Sequence, residues 1–375
     1  MTSRARIRAV RDALAPLSPR GVLVVPAFDE AELLPSFLAS LAAVEAPPGV
    51  VLLIHANNCR DVTAELARSF RARLGGLGPV VVESRYEPPN VGRVRAESAE
   101  AAIEAGCAWL HFLDADGTLP DVDFVSEAAR LAEAGADGCW SGCQDEFADV
   151  RAQLRQRSPA SLEADACDAV LGFGSTFRCR ALPRALPLVR YTDGSNTLVR
   201  ADAYTACGGF EPRRVGGDST LGDRYLARCG RLPGFFDRPV VTSNRKPLAS
   251  GRLGGFVFYP TRELALPAVR HAADVASLGA VTVARCFDAV CDDLRSFLLF
   301  TLHKRREHLE AAGASPRQLV AGVVAAFEAE RRRAGAPLEL EGEGSALRLA
   351  RREDGLEREL ELSFAAAERF WETGV

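Results

Sequence analysis

Residues 21–57 read GVLVVPAFDEAELLPSFLASLAAVEAPPGVVLLIHAN, and this stretch decides the fold class. The run at 21–25 is apolar throughout, and the run at 50–56 is apolar except for His55. Between them, apolar residues recur at helical spacing from Leu34 to Leu41. The stretch therefore predicts a strand, a helix and a second strand. Strands that are apolar on both faces are typical of a parallel sheet covered by helices on both sides.

The same alternation continues along the chain. Strands are predicted at 79–84 and 109–113, with a helix at about 94–106 between them. A further helix, which Asp61 can cap, is predicted to turn three apolar side chains inward: Val62, Leu66 and Phe70. Ligands of such α/β sheets bind outside the carboxyl ends of the strands, so the polar loops that follow each strand are the candidate functional segments.

Composition excludes several classes of protein. Lys and Arg total 46 against 50 Asp and Glu, a net charge of −4, and 47% of the residues are hydrophobic, which is the balance of a folded protein with a sizeable core. No apolar run reaches the roughly 18 residues of a membrane span, and no basic stripe suggests nucleic-acid binding.

The ten cysteines are scattered and residues 1–20 do not resemble a secretory signal, so we expect a cytoplasmic protein. Cys139 and Cys143 are expected to be small buried residues because no second pair or histidine lies at zinc spacing.

The pattern also predicts how the chain is divided. The predicted parts are an N-terminal helix (1–20), an α/β domain (21–258) with two halves (21–143 and 144–258), and a mostly helical C-terminal region (259–375). A small hairpin is predicted at 338–351, and the segment 292–306 faintly resembles an interfacial helix, although ordinary packing is the preferred interpretation. The C-terminal helices could also join two copies of the chain.

Two carboxylates stand out directly after the predicted strand 109–113. Asp114 and Asp116 would project at its carboxyl end, close enough to hold one hard divalent cation such as Mg²⁺ or Mn²⁺. Such a cation neutralises a diphosphate, which suits a nucleotide-sugar donor. The alternative is a turn in which the Asp side chains bond to nearby backbone.

Three segments in this order resemble a family 2 glycosyltransferase of the GT-A fold, and the resemblance covers about two-thirds of the chain. They are VVPAFDEAELLPSFLASL (24–41), ANNCRDVTAELAR (56–68) and HFLDADGTLP (111–120). The resemblance implies a GT-A, mostly parallel sheet flanked by helices. It also implies a UDP-, GDP- or dTDP-sugar donor, a hydroxyl acceptor, and a divalent metal on Asp114 and Asp116.

The resemblance further implies which residues contact the donor. Segment 26–30 resembles the family's Pro-x-Tyr-Asn-Glu, which lies against the nucleotide; here Phe28 replaces Tyr, and Asp29, which replaces Asn, could instead be a helix cap. The second loop lacks the family's acidic residue, and Asn57 can both donate and accept, so the base preference stays open. Arg95 is favoured over Arg93 as the cation facing the phosphates. The implied donor-binding residues are Pro26, Ala27, Glu30, Asn57, Arg95, Asp114, Ala115, Asp116 and Arg245.

A later stretch resembles the family's acceptor side. It comprises Gly208, Gly209 and Phe210, followed by Asp218, which matches the general base of inverting members, while Gly217 replaces a preceding acid. Asp223 is the reserve candidate for the base, although its helical spacing beside Arg224 suits a surface ion pair. Arg245 or Arg252 could close over the diphosphate, or could belong to an ordinary surface turn.

These observations predict a metal-dependent, inverting glycosyltransferase. Two alternatives stay open: a sugar-nucleotide nucleotidyltransferase and a non-catalytic nucleotide-sugar-binding protein. Sugar-nucleotide nucleotidyltransferases usually carry a glycine-rich loop after the first strand, whereas segment 26–30 contains no glycine. His55 and His111 fall inside predicted strands and are expected to be core residues.

Overall fold

The structure is a computed structural model that describes part of the chain. The described residues are 2–77, 79–145, 148, 151, 162–190, 192, 194–212, 219–242 and 313–334. The chain forms two compact units, and these are described in turn. The first unit comprises Met1–Gln144 and Arg190–Thr242, and the second comprises Asp145–Val189 and Ser243–Val375.

The first unit is built on a seven-stranded sheet. In chain order, the described strands are β1 (Gly21–Ala27), β2 (Val50–Asn57), β3 (Val80–Ser84), β4 (Trp109–Leu113), β5 (Gly117–Thr118), β6 (Cys139–Ser141), β7 (Gln144–Asp145), β8 (Asn196–Arg200), β9 (Gly234–Phe235) and β10 (Val240–Thr242). The sheet order is β3-β2-β1-β4-β8-β6-β9, and β10 pairs antiparallel with β5 outside it. β1 to β4 run parallel to one another, whereas β8 is antiparallel to β4 and β6.

Helices cover both faces of this sheet. The described helices of the first unit are α1 (Ser3–Leu14), α2 (Leu34–Ala42), α3 (Thr63–Ser69), α4 (Val91–Glu104), α5 (Phe124–Ala134), α8 (Ala201–Cys207) and α9 (Ser219–Cys229), and those of the second are α6 (Leu162–Thr176), α7 (Leu182–Ala185) and α10 (Pro316–Ala334). One core cluster joins β1 and β2 to α2 and α5, and the other joins the same strands to α1, α4 and α8. The continuous burial of β1 and β2 explains why their sequences are almost entirely apolar, with His55 and Asn57 as the polar residues of β2.

The predicted fold class is confirmed. The chain has an α/β fold with a mostly parallel sheet flanked by helices, which is the plan that the resemblance to GT-A proteins implies. The predicted 338–351 hairpin, the 292–306 segment and most of the predicted C-terminal helical region lie outside the described residues. None of the described helices combines the length and the apolarity that a membrane crossing requires.

Two details of the helices differ from the prediction. Val62 precedes α3 and is 56% exposed, so it does not face the core; the buried residues of α3 are Thr63, Ala64 and Ala67. α4 begins at Val91 rather than near residue 94, because the Asn90 side chain accepts a hydrogen bond from the Arg93 backbone N–H and caps the helix there.

In the second unit, the described residues pack around three phenylalanines. Phe173 and Phe177 stack on one another, and Phe327 of α10 meets both rings edge-on. Between α6 and α7 the helix widens to π geometry over Phe177–Ala181. Helix α10 buries Leu319, Val323 and Phe327 on one face, at the spacing expected for an amphipathic helix.

Candidate functional site

A crevice is expected between β1 and β4, where the order of the strands reverses. The β1–β4 ladder ends at the pair Val24–Phe112, whereas the β1–β2 ladder continues to Ala27–Ala56. Pro26 lies beyond the end of the β4 ladder, so its missing N–H costs no hydrogen bond to that strand. The carboxyl ends of these strands form the topological switch point at which α/β sheets bind ligands.

An ion pair joins α4 to the end of β4 at this edge. Arg95 Nη2 donates to Asp114 Oδ1 over 2.6 Å, and the Arg95 side chain is 6% exposed while that of Asp114 is 33% exposed. A Cβ on Gly194 would lie 2.2 Å from the Arg95 guanidinium carbon, so the backbone at Gly194 can approach Arg95 only because residue 194 has no side chain. The predicted residues Arg95 and Asp114 are thus brought together.

Asp114 and Asp116 flank a buried residue in a tight turn. The Gly117 backbone N–H donates to the Asp114 carbonyl, Ala115 is buried in the core, and both Asp residues are half-buried. Arg95 engages one carboxylate oxygen of Asp114. Two carboxylates in a turn fit a Mg²⁺ or Mn²⁺ ion that completes its coordination with phosphate oxygens and water, which is how Mg²⁺ is usually held.

The described residues contain one group of three possible metal ligands, and it lies elsewhere. Asp29, Cys59 and Asp61 place one ligand atom each within 4.8 Å of one another. Both carboxylates already accept hydrogen bonds: Asp29 from Arg60, and Asp61 from Ala31 N and from Thr63 N and Oγ1. Because hydrogen bonds within the loops already stabilise both carboxylates, we assign no metal to this group.

The loops after β1 and β2 are fixed to each other by Asp29 and Arg60. Arg60 donates to Asp29 Oδ1 from its backbone N over 2.6 Å and to Oδ2 from Nε over 2.9 Å and Nη2 over 2.5 Å. These bonds, that from the Arg60 backbone foremost, lower the pKa of Asp29, and the carboxylate raises the pKa of Arg60. Asp29 has a left-handed φ of 52° and does not cap a helix through its side chain.

Asn58 fixes the same loop to the chain after β3. Its amide donates to the Tyr86 carbonyl over 2.9 Å and accepts from the Tyr86 N–H over 2.9 Å. The φ of 57° at Asn58 is one that asparagine tolerates better than most residues. The second loop, which departs most from the family pattern, is therefore held in place by its own polar side chains.

Three further residues predicted to touch the donor lie near the ends of β1 and β2. Ala27 is buried, and Glu30 is 8% exposed, with a backbone N–H that donates to Thr63 Oγ1. Asn57 is 4% exposed, and its Nδ2 lies 3.2 Å from Ser84 Oγ. Asn57 thus stands at the end of β2 as predicted, but its amide N–H groups bond to β3.

A buried polar cluster lies on the other side of β4, and it includes His111, which was predicted to be a core residue. Asn196 is fully buried; its Oδ1 accepts from His111 Nε2, and its Nδ2 donates to the Arg238 and Cys143 carbonyls. Burial lowers the pKa of His111 to about 4, so its ring is neutral. Asn196 pairs with Leu113, directly before Asp114, and so supports the turn from the neighbouring strand.

The three predicted acceptor-side residues form a helix end and a core contact. Gly208 and Gly209 have φ values of 79° and 62°, and the Gly209 N–H donates to the Tyr204 carbonyl, which terminates α8. Phe210 is 4% exposed and meets Phe112 edge-on, with ring centres 4.6 Å apart. These residues fix the start of the segment that leads to residue 218.

Several candidate residues cannot be placed. Asp218, Gly217, Arg245 and Arg252 lie outside the described residues. The reserve candidate Asp223 is described; it lies half-buried in α9.

The pair of Asp29 and Arg60, with the exposed ring beside it, is not among the residues predicted to form the site. Phe28 is 45% exposed, and the Arg60 guanidinium carbon lies 5.9 Å from its ring centre. The sequence does contain a signal for this pair: Asp29 and Arg60 carry opposite charges and follow β1 and β2 at similar distances from the strand ends. That signal depends on knowing that β1 and β2 are neighbours.

Comparison with known proteins gives structural matches only. No protein-family model matches the chain, and no curated protein does. The matching solved structures include mannosyltransferase PcManGT from Pyrobaculum calidifontis in complex with GDP-Man and Mn²⁺, at 15% identity over 100% of this chain and 99% of that one with a TM-score of 0.45. They also include glucosyl-3-phosphoglycerate synthase from M. tuberculosis, at 15% identity over 64% of this chain and 76% of that one with a TM-score of 0.38.

A third protein is matched in two forms. Residues 1–349 of S. aureus TarS match at 12% identity over 95% of this chain and 92% of that one, with a TM-score of 0.45. In a longer S. aureus TarS structure, this chain spans about a third of the matched chain, 35%, with a TM-score of 0.39.

Proposed function

We propose that this chain is a glycosyltransferase that moves a sugar from a nucleoside diphosphate to an acceptor hydroxyl. The observation that carries the proposal is the pairing of Arg95 with Asp114 at the switch point between β1 and β4. A buried guanidinium beside two half-buried carboxylates, with a loop edge open to solvent, is a site that can hold a diphosphate together with a divalent cation.

The donor would lie across the carboxyl ends of β1, β2 and β4. Pro26, Ala27 and Glu30 would shape the floor under the nucleoside, with Asn57 behind them. Arg95 would contribute positive charge beside the phosphates while holding the Asp114 carboxylate in one orientation. Arg245 would approach the diphosphate from a later segment.

Asp114 and Asp116 would hold the metal, which when bound supplies charge neutralisation to the diphosphate as the sugar bond breaks. Because Arg95 already bonds to Asp114 Oδ1, Asp114 would bind the metal through its other carboxylate oxygen, together with Asp116.

Asp218 would act as the general base of an inverting transfer. Its carboxylate would take the proton of the acceptor hydroxyl while that oxygen attacks the anomeric carbon, and the bond to the nucleoside diphosphate would break on the opposite face. Gly208, Gly209 and Phe210 would support this segment from their fixed positions at the end of α8. The predicted cytoplasmic location and homo-oligomer remain predictions.

The test combines binding and turnover. Thermal unfolding is measured with UDP-, GDP- and dTDP-sugars, with Mn²⁺ or EDTA, and donor hydrolysis or transfer is measured in parallel. We expect a donor to raise the unfolding temperature with Mn²⁺, turnover to fall in EDTA, and Asp116→Asn to remove the metal response. Asp121→Asn is the matched control, because Asp121 is as exposed as Asp114 but pairs with Arg238 and not with Arg95.

The outcomes separate the alternatives. Full turnover in EDTA would remove the metal role, and full turnover in Asp218→Asn would remove the base assignment. Tight donor binding without hydrolysis or transfer would indicate a binding protein instead of an enzyme. Formation of a nucleotide sugar from a nucleoside triphosphate would indicate a nucleotidyltransferase.

A further inference from the structure

The Arg60 guanidinium is presented to solvent in a fixed orientation. Asp29 binds one edge of it, through Nε and Nη2, and the backbone N–H of Arg60 binds the other oxygen of the same carboxylate. The Arg60 side chain is nevertheless 80% exposed, whereas that of Asp29 is 21% exposed. An arginine held in this way keeps its opposite edge directed outward at little entropic cost.

Three N–H groups of the guanidinium remain beyond those that Asp29 binds, and they belong to two nitrogens, Nη1 and Nη2. A guanidinium has five N–H groups, and Asp29 uses Nε and one hydrogen of Nη2. Nη1 and the second hydrogen of Nη2 form the remaining edge, and the described residues supply it with no hydrogen-bond partner. This edge matches two adjacent acceptor atoms in one plane.

An exposed aromatic ring lies beside the guanidinium. Phe28, directly after β1, is 45% exposed, and its ring centre lies 5.9 Å from the Arg60 guanidinium carbon. A planar heterocycle can stack on such a ring while its edge meets the guanidinium. Asn57, in contrast, is buried and donates to Ser84, so it is poorly placed to select a base.

We infer that Arg60 selects the base of the donor and that the base is guanine. The inference rests on the proposed function, since it concerns the donor of the same site. Guanine presents two adjacent acceptors, O6 and N7, which arginine binds bidentately. Adenine presents N7 beside an N–H donor, and a uracil or thymine edge offers one carbonyl, O4, so each matches the edge less well.

The first test uses the unmodified protein and purine analogues. Isothermal titration with Mn²⁺ compares GDP, IDP, 7-deaza-GDP, ADP and UDP. IDP keeps O6 and N7 and should bind like GDP, whereas 7-deaza-GDP lacks N7 and should bind roughly tenfold more weakly, as should ADP and UDP. If a carboxylate read the opposite edge of guanine, IDP would weaken and 7-deaza-GDP would not, which would overturn the inference.

The second test uses variants of Arg60. Arg60→Ala should abolish the difference in affinity between GDP and 7-deaza-GDP. Arg60→Lys keeps a positive charge but has one compact ammonium group, so it should retain affinity for nucleoside diphosphates while the difference between GDP and 7-deaza-GDP stays small. Arg130→Ala is the matched control, because Arg130 is also exposed and paired with an acid. A difference that survives in Arg60→Ala would overturn the inference and leave a loop-fixing role for the pair.

Failure of the inference is distinguishable from failure of the proposed function. Equal binding of all five nucleotides, or preference for UDP, would overturn the guanine assignment while supporting a nucleoside diphosphate site. Absence of binding by every nucleotide, with and without Mn²⁺, would count against the site itself.

Discussion

Arg95 Nη2 lies 2.6 Å from Asp114 Oδ1, and this bond joins the first turns of α4 to the end of β4. The guanidinium is buried, and a buried charge is stable only when it is paired. The pair holds one oxygen of Asp114 against α4, and Asp116 follows two residues later in the same turn. One helix residue thus determines the orientation of the first carboxylate of this turn.

Replacement of Arg95 should weaken donor binding strongly. Arg95→Ala removes one partner of a buried, hydrogen-bonded pair and leaves two acids side by side, so we expect roughly a hundredfold loss in affinity for the preferred nucleoside diphosphate. Arg95→Lys should recover part of it. Arg93→Ala is the control on the same helix, since Arg93 is 45% exposed. Donor affinity that is unchanged in Arg95→Ala would contradict the proposed role, and titration calorimetry decides.

Asn90 makes two bonds that substitutions can separate. Its Oδ1 accepts from the Arg93 N–H and caps α4, while its Nδ2 donates to the Pro212 carbonyl over 2.9 Å. Asn90→Ala should lower the free energy of unfolding by about 1 kcal/mol through loss of the cap. Asn90→Asp keeps a capping oxygen but cannot donate to Pro212, so most of the cap contribution should return.

Transfer kinetics separate the two bonds further. Because Pro212 belongs to the segment that leads toward Asp218, Asn90→Asp should raise the KM for the acceptor while the KM for the donor stays near its original value. An Asn90→Asp variant that matches the original protein in acceptor KM would show that the Pro212 bond has no part in acceptor binding. Urea denaturation and steady-state kinetics supply the two measurements.

Burial of two histidines should make stability depend on pH. The pKa of His55 is lowered to about 4 by burial, and that of His111 likewise to about 4. Because the unfolded chain binds these protons near pH 6.5, the stabilisation is complete above that pH and is lost as the pH falls toward 4. Each histidine should remove about 2 kcal/mol between pH 7 and 5.

The measurement is the urea midpoint at several pH values. His55→Gln and His111→Gln should each flatten the loss of stability between pH 6.5 and 5, whatever they do to stability at pH 7. Carboxylates with lowered pKa, such as Glu97, titrate below this window and do not mask it. An unchanged slope in both variants would contradict neutral burial of the two rings.

Much of the fold could be predicted from the sequence, and the physical reason is burial. Strands β1, β2 and β4 are buried on both faces, so their apolar runs mark them without knowledge of partners. Val62 was misplaced because helical spacing alone ignores that Asp61 bonds the Thr63 N–H and so starts the helix after Val62. The start of α4 at Val91 depends on the side-chain cap at Asn90, which the spacing of apolar residues does not reveal.

The site could be predicted only in part. The position of Asp114 and Asp116 follows from the end of an apolar strand, and their neighbour Arg95 from a helix that begins nearby. The bond between Asp29 and Arg60 could not be predicted, because it joins loops 31 positions apart whose strands must first be paired. The core position of Phe210 depends in the same way on its contact with Phe112.

Arg6 and Glu97 fasten α1 to α4, the helix that carries Arg95. Glu97 accepts from Arg6 Nε over 2.8 Å and Nη2 over 2.9 Å, and also from Ser3 Oγ and the Tyr86 hydroxyl. Burial acts to raise the pKa of Glu97, but these hydrogen bonds outweigh it and hold the pKa below its usual value. Arg6→Ala removes two hydrogen bonds to a buried carboxylate and leaves Arg93, whose Nε lies 3.9 Å from Glu97 Oε1, as a more distant cation. The change should cost about 2 kcal/mol of unfolding free energy.

A double-mutant cycle isolates this interaction. Arg6→Ala, Glu97→Gln and the combination, compared by urea denaturation, should give a coupling of at least about 1 kcal/mol. Arg4→Ala is the control, because the Arg4 side chain is 63% exposed in its pairs with Glu100 and Glu104 and should change stability by less than about 1 kcal/mol. If Arg6→Ala is no more harmful than Arg4→Ala, α1 does not brace α4 through this pair. If Arg6→Ala is more harmful than Arg4→Ala, the pair of Arg6 and Glu97 braces α4, the helix that places Arg95 beside Asp114.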